Sequence, residues 1–167
     1  NGFVSLIREG FSFTTWHDNY RKKQNFICAQ HICLDVDSED FTAEFDTLLQ
    51  DEFIGQFATI LYHTPSHTKE KPRSRVVFVL DRPIYHKEKY SILCQALMSR
   101  FRGFIDEKCK DPCRLFFGSK DCEYTIPGNV LSLEDARIHL VAPFLEREKE
   151  VIKVNRSKFN IHVPNFF

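Results

Sequence analysis

The chain has no excess charge of either sign. Over 167 residues, 23 Lys and Arg balance 23 Asp and Glu, for a formal net charge of zero. A global basic field of the kind that announces a nucleic-acid binder is absent, so any such role must come from local clustering. No apolar run is long enough to span a bilayer, no secretory signal pattern opens the chain, and there is no internal repeat or low-complexity stretch. An intracellular setting without a membrane partner is expected. The six cysteines (Cys28, Cys33, Cys94, Cys109, Cys113 and Cys122) are too few and too apolar in context for a disulfide scaffold in a chain of this size, and read mostly as small core residues. The first residue is Asn1 rather than Met, which suggests a domain excised from a longer protein.

What is present is a large apolar fraction, 43%, with 17 Phe. That supplies the core of one domain over 1–167, with its body at about 20–145 and a linker or docking tail at 146–167. Residues 3–9 read as a short amphipathic helix stopped by Gly10, and 31–36 as a strand. Apolar residues at 41, 45, 48, 49 and 53 are spaced for a helix capped by Asp37 or Ser38. Strands follow at 57–62 and 75–80, the second closed by Asp81-Arg82-Pro83. The 86–101 stretch is the clearest helix, with Tyr90, Leu93, Cys94, Leu97, Met98 and Phe101 on one stripe. A short strand is expected at 113–118, and an edge strand within 131–144. The order gives an α+β fold with an RRM-like β-α-β-β-α-β core and a fused N-terminal α/β lobe.

The most informative stretch is Ile32-Cys33-Leu34-Asp35-Val36-Asp37. Positions i and i+2 of a strand share a face, so Asp35 and Asp37 project together. The pair is either a solvated strand end running into an acidic turn or a seat for a hard divalent cation, which relieves the repulsion of two carboxylates. Thr64-Pro65-Ser66-His67-Thr68 is either a turn or a phosphate-binding loop, with a hydroxyl and an imidazole side by side. Arg73 and Arg75 lie two apart as a strand begins and can grip phosphate together, or belong to a solvated basic loop. Ile105-Asp106 supplies a candidate third carboxylate, with Asp111 as its competitor. Arg114 begins the next expected strand within reach of the same cleft.

Together these residues resemble the catalytic domain of the archaeo-eukaryotic primase superfamily, most closely the primase-polymerases of phages, plasmids and related mobile elements. The Asp-x-Asp motif is matched by Leu34-Asp35-Val36-Asp37, the Ser/His motif by Ser66-His67, and the apolar-Asp motif by Ile105-Asp106. The resemblance covers about residues 20–120. It implies a DNA primase or polymerase in which Asp35, Asp37 and Asp106 hold two Mg²⁺ or Mn²⁺ ions for in-line nucleotidyl transfer. It further implies that Ser66 and His67, with Arg73 or Arg75 and with Arg114, contact the phosphates of a dNTP or NTP. Arg21, Lys22 and Lys23, with Asn25 nearby, would track the DNA template. A helicase or priming-accessory domain is expected elsewhere in the full-length protein. Cys109, Cys113 and Cys122 lack a clean fourth ligand, which argues against the zinc insertion of some relatives. Two other classes compete: a metal-dependent nuclease of a replication initiator, for which no His-x-His motif is present, and a non-catalytic RRM-like nucleic-acid-binding module.

Overall fold

Two twelve-residue strands, β2 (Phe26–Asp37) and β4 (Arg73–Ile84), form the spine of the molecule. The computed structural model describes residues 2–37, 42–103 and 107–159. Helix α1 (Gly2–Arg8) and the two-residue strand β1 (Trp16–His17) precede β2. Helices α2 (Phe45–Gln50) and α3 (Glu52–Phe57) and strand β3 (Ile60–His63) lead into β4, and α4 (Lys87–Arg100) follows it. Strand β5 (Tyr124–Thr125), α5 (Leu133–Ala136), a π-helical stretch at Arg137–Val141 and α6 (Ala142–Phe159) complete the described chain.

Among the described residues, five strands form one sheet in the order β1-β2-β4-β3-β5, and each strand pairs antiparallel with its neighbours. Residues 32–36 of β2 and 74–78 of β4 are all buried, so these central strands are covered on both faces. One face of the sheet meets α2 and α3. Phe53 of α3 packs on Phe78 with ring centroids 5.4 Å apart, and Phe45 stacks on His63 at 4.2 Å. No helix among the described residues is long and apolar enough to cross a membrane. All six cysteines are free thiols.

Several elements depart from the sequence expectation, each for a local reason. The helix expected from 41 to 53 breaks at Asp51. That residue is extended (φ −64°, ψ 127°), and its carboxylate accepts from the amides of Phe53 and Ile54, so it caps a second helix. Asp37 ends β2, Ser38 lies outside the described residues, and α2 begins after Glu44. Of the edge strand expected within 131–144, one isolated bridge from Leu131 to Leu80 forms, and the chain from Leu133 is helical. Ser132 accepts from the Asp135 amide and donates to the Asp135 carboxylate, a capping arrangement that starts α5. The 113–118 strand is reduced to one isolated bridge, Phe13 to Phe116. The edge of β2 is instead taken by β1, so the last strand of the RRM-like pattern is not formed as expected. Within the expected linker or docking tail at 146–167, the described residues to Phe159 continue α6.

Candidate functional site

The register of β2 on β4 sets Asp35 opposite Arg75 and Asp37 opposite Arg73. Facing residues of paired strands project from the same side, so each carboxylate meets a guanidinium. Tyr62 of β3 lies opposite Arg75 on its other flank. Arg75 Nε donates to Asp35 Oδ1. Its Nη1 donates to Tyr62 Oη at 2.6 Å and to the Phe117 carbonyl at 2.7 Å. Arg114 Nη2 donates to the second oxygen of Asp35 at 3.4 Å. The Arg75 guanidinium also lies over the Phe116 ring, 5.0 Å from its centroid. Asp35 is 9% exposed and Arg75 5%. Burial raises the pKa of the Tyr62 phenol against the pull of Arg75, so the hydroxyl stays protonated and donates to the Phe117 carbonyl at 3.0 Å.

Asp37 occupies the open end of the same face. Its partner Arg73 approaches at 3.0 Å, and the two side chains are 48% and 34% exposed. Arg73 Nη1 also reaches Ser66 Oγ at 3.5 Å, and Ser66 pairs with Thr64 at 3.3 Å. Asp35, Asp37, Ser66, Arg73, Arg75 and Arg114 thus line one cleft of about 530 Å³.

His67 does not line that cleft. It lines a neighbouring recess that shares Thr64 and Pro65 with it and also holds Lys69 and Lys120. Its ring stacks on His63 with centroids 3.6 Å apart. Hydrogen bonding sets the tautomer of each ring in its neutral form. The Arg73 amide donates to His67 Nδ1 at 3.1 Å, which leaves the His67 proton on Nε2. Ser74 Oγ donates to the Ala43 carbonyl at 2.5 Å and therefore accepts from His63 Nδ1 at 3.0 Å. Burial, and then the neighbouring His67, lowers the pKa of His63.

The basic residues expected on the template lie in the turn before β2. Arg21 Nη1 donates to the Cys113 carbonyl at 2.7 Å, Lys23 lies 3.7 Å from Asp111, and Asn25 Nδ2 donates to the Tyr20 carbonyl at 3.1 Å. Arg21 and Asn25 therefore shape the turn, and Lys22 is exposed. Asp111 accepts from the Cys113 amide at 3.0 Å. Asp106 lies outside the described residues. Among the described residues no group of three or more His, Cys, Asp or Glu side chains is placed to hold a metal ion. Asp35 and Asp37 offer the hard oxygen donors that Mg²⁺ or Mn²⁺ prefers.

Four further features carry little or no signal in the sequence. Tyr62 has a readable signal, its place on a strand flanking Arg75. Phe117 has none, because it contributes a backbone carbonyl. His31, farther back along β2, packs edge-on against Phe13 at 5.3 Å. Its shielded Nε2 has no hydrogen-bond partner among the described residues, and burial lowers its pKa to about 4. The cleft wall is also tied to the N-terminal helix at Gly118. A Cβ there would lie 2.5 Å from the Phe11 carbonyl oxygen and 2.6 Å from that of Ile7, so only glycine permits the approach.

Residues 8–143 match the family model of the VapE N-terminal domain. That family occurs in VapE-like proteins associated with phage and plasmid replication. The match agrees with the mobile-element context of the primase resemblance without reaching the primase superfamily itself. Neither the curated proteins nor the solved structures yielded a match. With the match covering most of its length, the chain belongs to the VapE N-terminal domain family.

Proposed function

We propose that this domain is a template-dependent nucleotidyltransferase, a DNA primase or polymerase, acting in phage or plasmid replication. The observation that carries the reading is the cleft itself. Of the seven described residues read from sequence as catalytic or nucleotide-binding, six line it, although they come from four separate segments of the chain. The interleaving of the central strands supports it as well. The first expected strand (β2) pairs with the third (β4), and the third with the second (β3), as a split β-α-β core requires.

The charges of the cleft suit a nucleoside triphosphate that arrives with its own cation. Among the described residues, Arg73, Arg75 and Arg114 face two carboxylates, Asp35 and Asp37. Asp35 and Asp37, with Asp106, would hold Mg²⁺ or Mn²⁺, which would activate the attacking hydroxyl and neutralise the phosphates. Arg73 is the guanidinium best able to turn toward a phosphate, because its present partner Asp37 is half-exposed. Arg75 has the different task of holding Asp35 in place through Tyr62 and Phe117. Ser66, beside Arg73, adds a hydroxyl donor at the cleft mouth. His67, with its proton on Nε2, presents a neutral donor to the adjoining recess.

The double clamp on Asp35 favours one other reading, a non-catalytic nucleic-acid-binding module in which the carboxylate only orients arginines. Primer extension separates the two. With a primed template, dNTPs and Mg²⁺ or Mn²⁺, the parent protein is expected to extend the primer and an Asp37→Asn variant to lose that activity. A parent that binds template but extends with neither metal sinks the catalytic reading. Strand cleavage without added nucleotides points instead to a nuclease.

A further inference from the structure

The only tryptophan of the chain, Trp16, is 73% exposed on an edge strand, and Tyr20, four residues on, is 71% exposed. A single exposed aromatic is ordinary, but two within one short turn beside a basic run make a candidate contact surface. Here the presentation is also built. Asp18 N donates to Asn25 O at 2.8 Å, Lys22 N to Tyr20 O at 2.8 Å and Asn25 N to Lys22 O at 2.9 Å, while Asn19 takes a positive φ of 57° to make the bend.

Three consecutive basic residues, Arg21, Lys22 and Lys23, leave this turn. Two of them fasten it to the 111–114 segment. Arg21 donates to the Cys113 carbonyl and Lys23 approaches Asp111. The next residue of that segment, Arg114, reaches Asp35. The aromatic turn is therefore braced against the wall of the aspartate cleft. Asp18 and Asp111 are the carboxylates next to it, and Asp18 is occupied by Asn19 Nδ2 at 3.1 Å.

We propose that Trp16 and Tyr20 form a stacking platform for the bases of single-stranded nucleic acid, with Lys22 and Lys23 meeting its phosphates. Two aromatic faces beside a basic run fit an unpaired strand, because every base has a face to stack and the backbone is a polyanion. A duplex hides its base faces and fits poorly. The platform builds on the template-dependent reading, but stacking requires neither a divalent cation nor turnover, so it is testable alone.

The single tryptophan provides the probe. Titrating the whole domain with oligo-dT should quench its fluorescence, and the same sequence in a duplex should quench it far less. By anisotropy with a labelled oligonucleotide, Trp16→Ala and Tyr20→Ala should each weaken binding about 5- to 100-fold. Trp16→Phe should recover part of that loss, and Lys22→Ala/Lys23→Ala should flatten the salt dependence. Equal binding of duplex and single strand, or full-strength binding by Trp16→Ala, overturns the platform whether or not the domain extends primers. So does a quench that follows protein concentration alone with a rise in sedimenting mass, which would assign the surface to a second copy. A parent that shows the stacking signature but never extends overturns the catalytic reading alone.

Discussion

The inner end and the mouth of the cleft are made from the same two strands with the same pairing of aspartate to arginine, yet they are held differently. Asp35 and Arg75 are buried, and their contacts spread through Tyr62, Phe117 and Arg114. Asp37 and Arg73 are partly in solvent, and beyond Asp37 the Arg73 guanidinium reaches Ser66. A buried ion pair is costly to break from one side, because the survivor keeps its charge without its solvation, whereas an exposed pair contributes little. The two aspartates that look equivalent in sequence therefore divide the work. Asp35 supports the fold and the site together, and Asp37 can be altered to probe chemistry alone.

The sharpest way to break this contrast is to remove one inner partner. Arg75→Met should destabilise the domain by about 3–5 kcal/mol in urea unfolding. Removing both charges with Asp35→Asn/Arg75→Met should restore part of the loss, and additive losses would deny that the pair is coupled. The next largest effect is on acid stability. His31 titrates near 4 in the folded state and at its ordinary 6.5 when unfolded, so the unfolded chain binds the proton first. Stability should be full above pH 6.5 and fall by roughly 3 kcal/mol as the pH drops toward 4. His31→Phe should flatten that slope, and an unchanged slope would assign it elsewhere. Tyr62→Phe, which removes one hydrogen bond to Arg75, should cost about 1–2 kcal/mol in the same unfolding assay. Asp37→Asn should move stability by less than about 1 kcal/mol while abolishing primer extension. A larger stability loss would make the mouth as structural as the inner end.

The strands that carry the site were readable because their apolar runs are long and their charged residues fall at i, i+2 positions. Asp35 with Asp37 and Arg73 with Arg75 obey that rule on neighbouring strands, so their convergence follows once β2 pairs with β4. The pairing of arginines with aspartates was not readable, because register between strands is a tertiary property. The misread elements had capping signals at single residues. Asp51 divides one apolar stripe into two helices, and Ser132 with Asp135 turns an apolar stretch of strand-like composition into a helix. His67 was grouped with Ser66 by adjacency, but neighbouring residues diverge, and a backbone amide with a stacked ring draws it into the next recess.

The approach of the N-terminal helix to Gly118 has a consequence for the order of folding. The carbonyl that anchors Arg75 belongs to Phe117, whose neighbour is pressed against Ile7 and Phe11. Close by, Thr14 bonds to the Arg114 carbonyl across 100 positions of sequence. Closing loops of that length is slow relative to forming the local helices and the β3–β4 hairpin. The central strands are therefore expected to assemble first, and the Asp35 clamp to lock only when the first residues of the chain have docked beside the 116–118 segment.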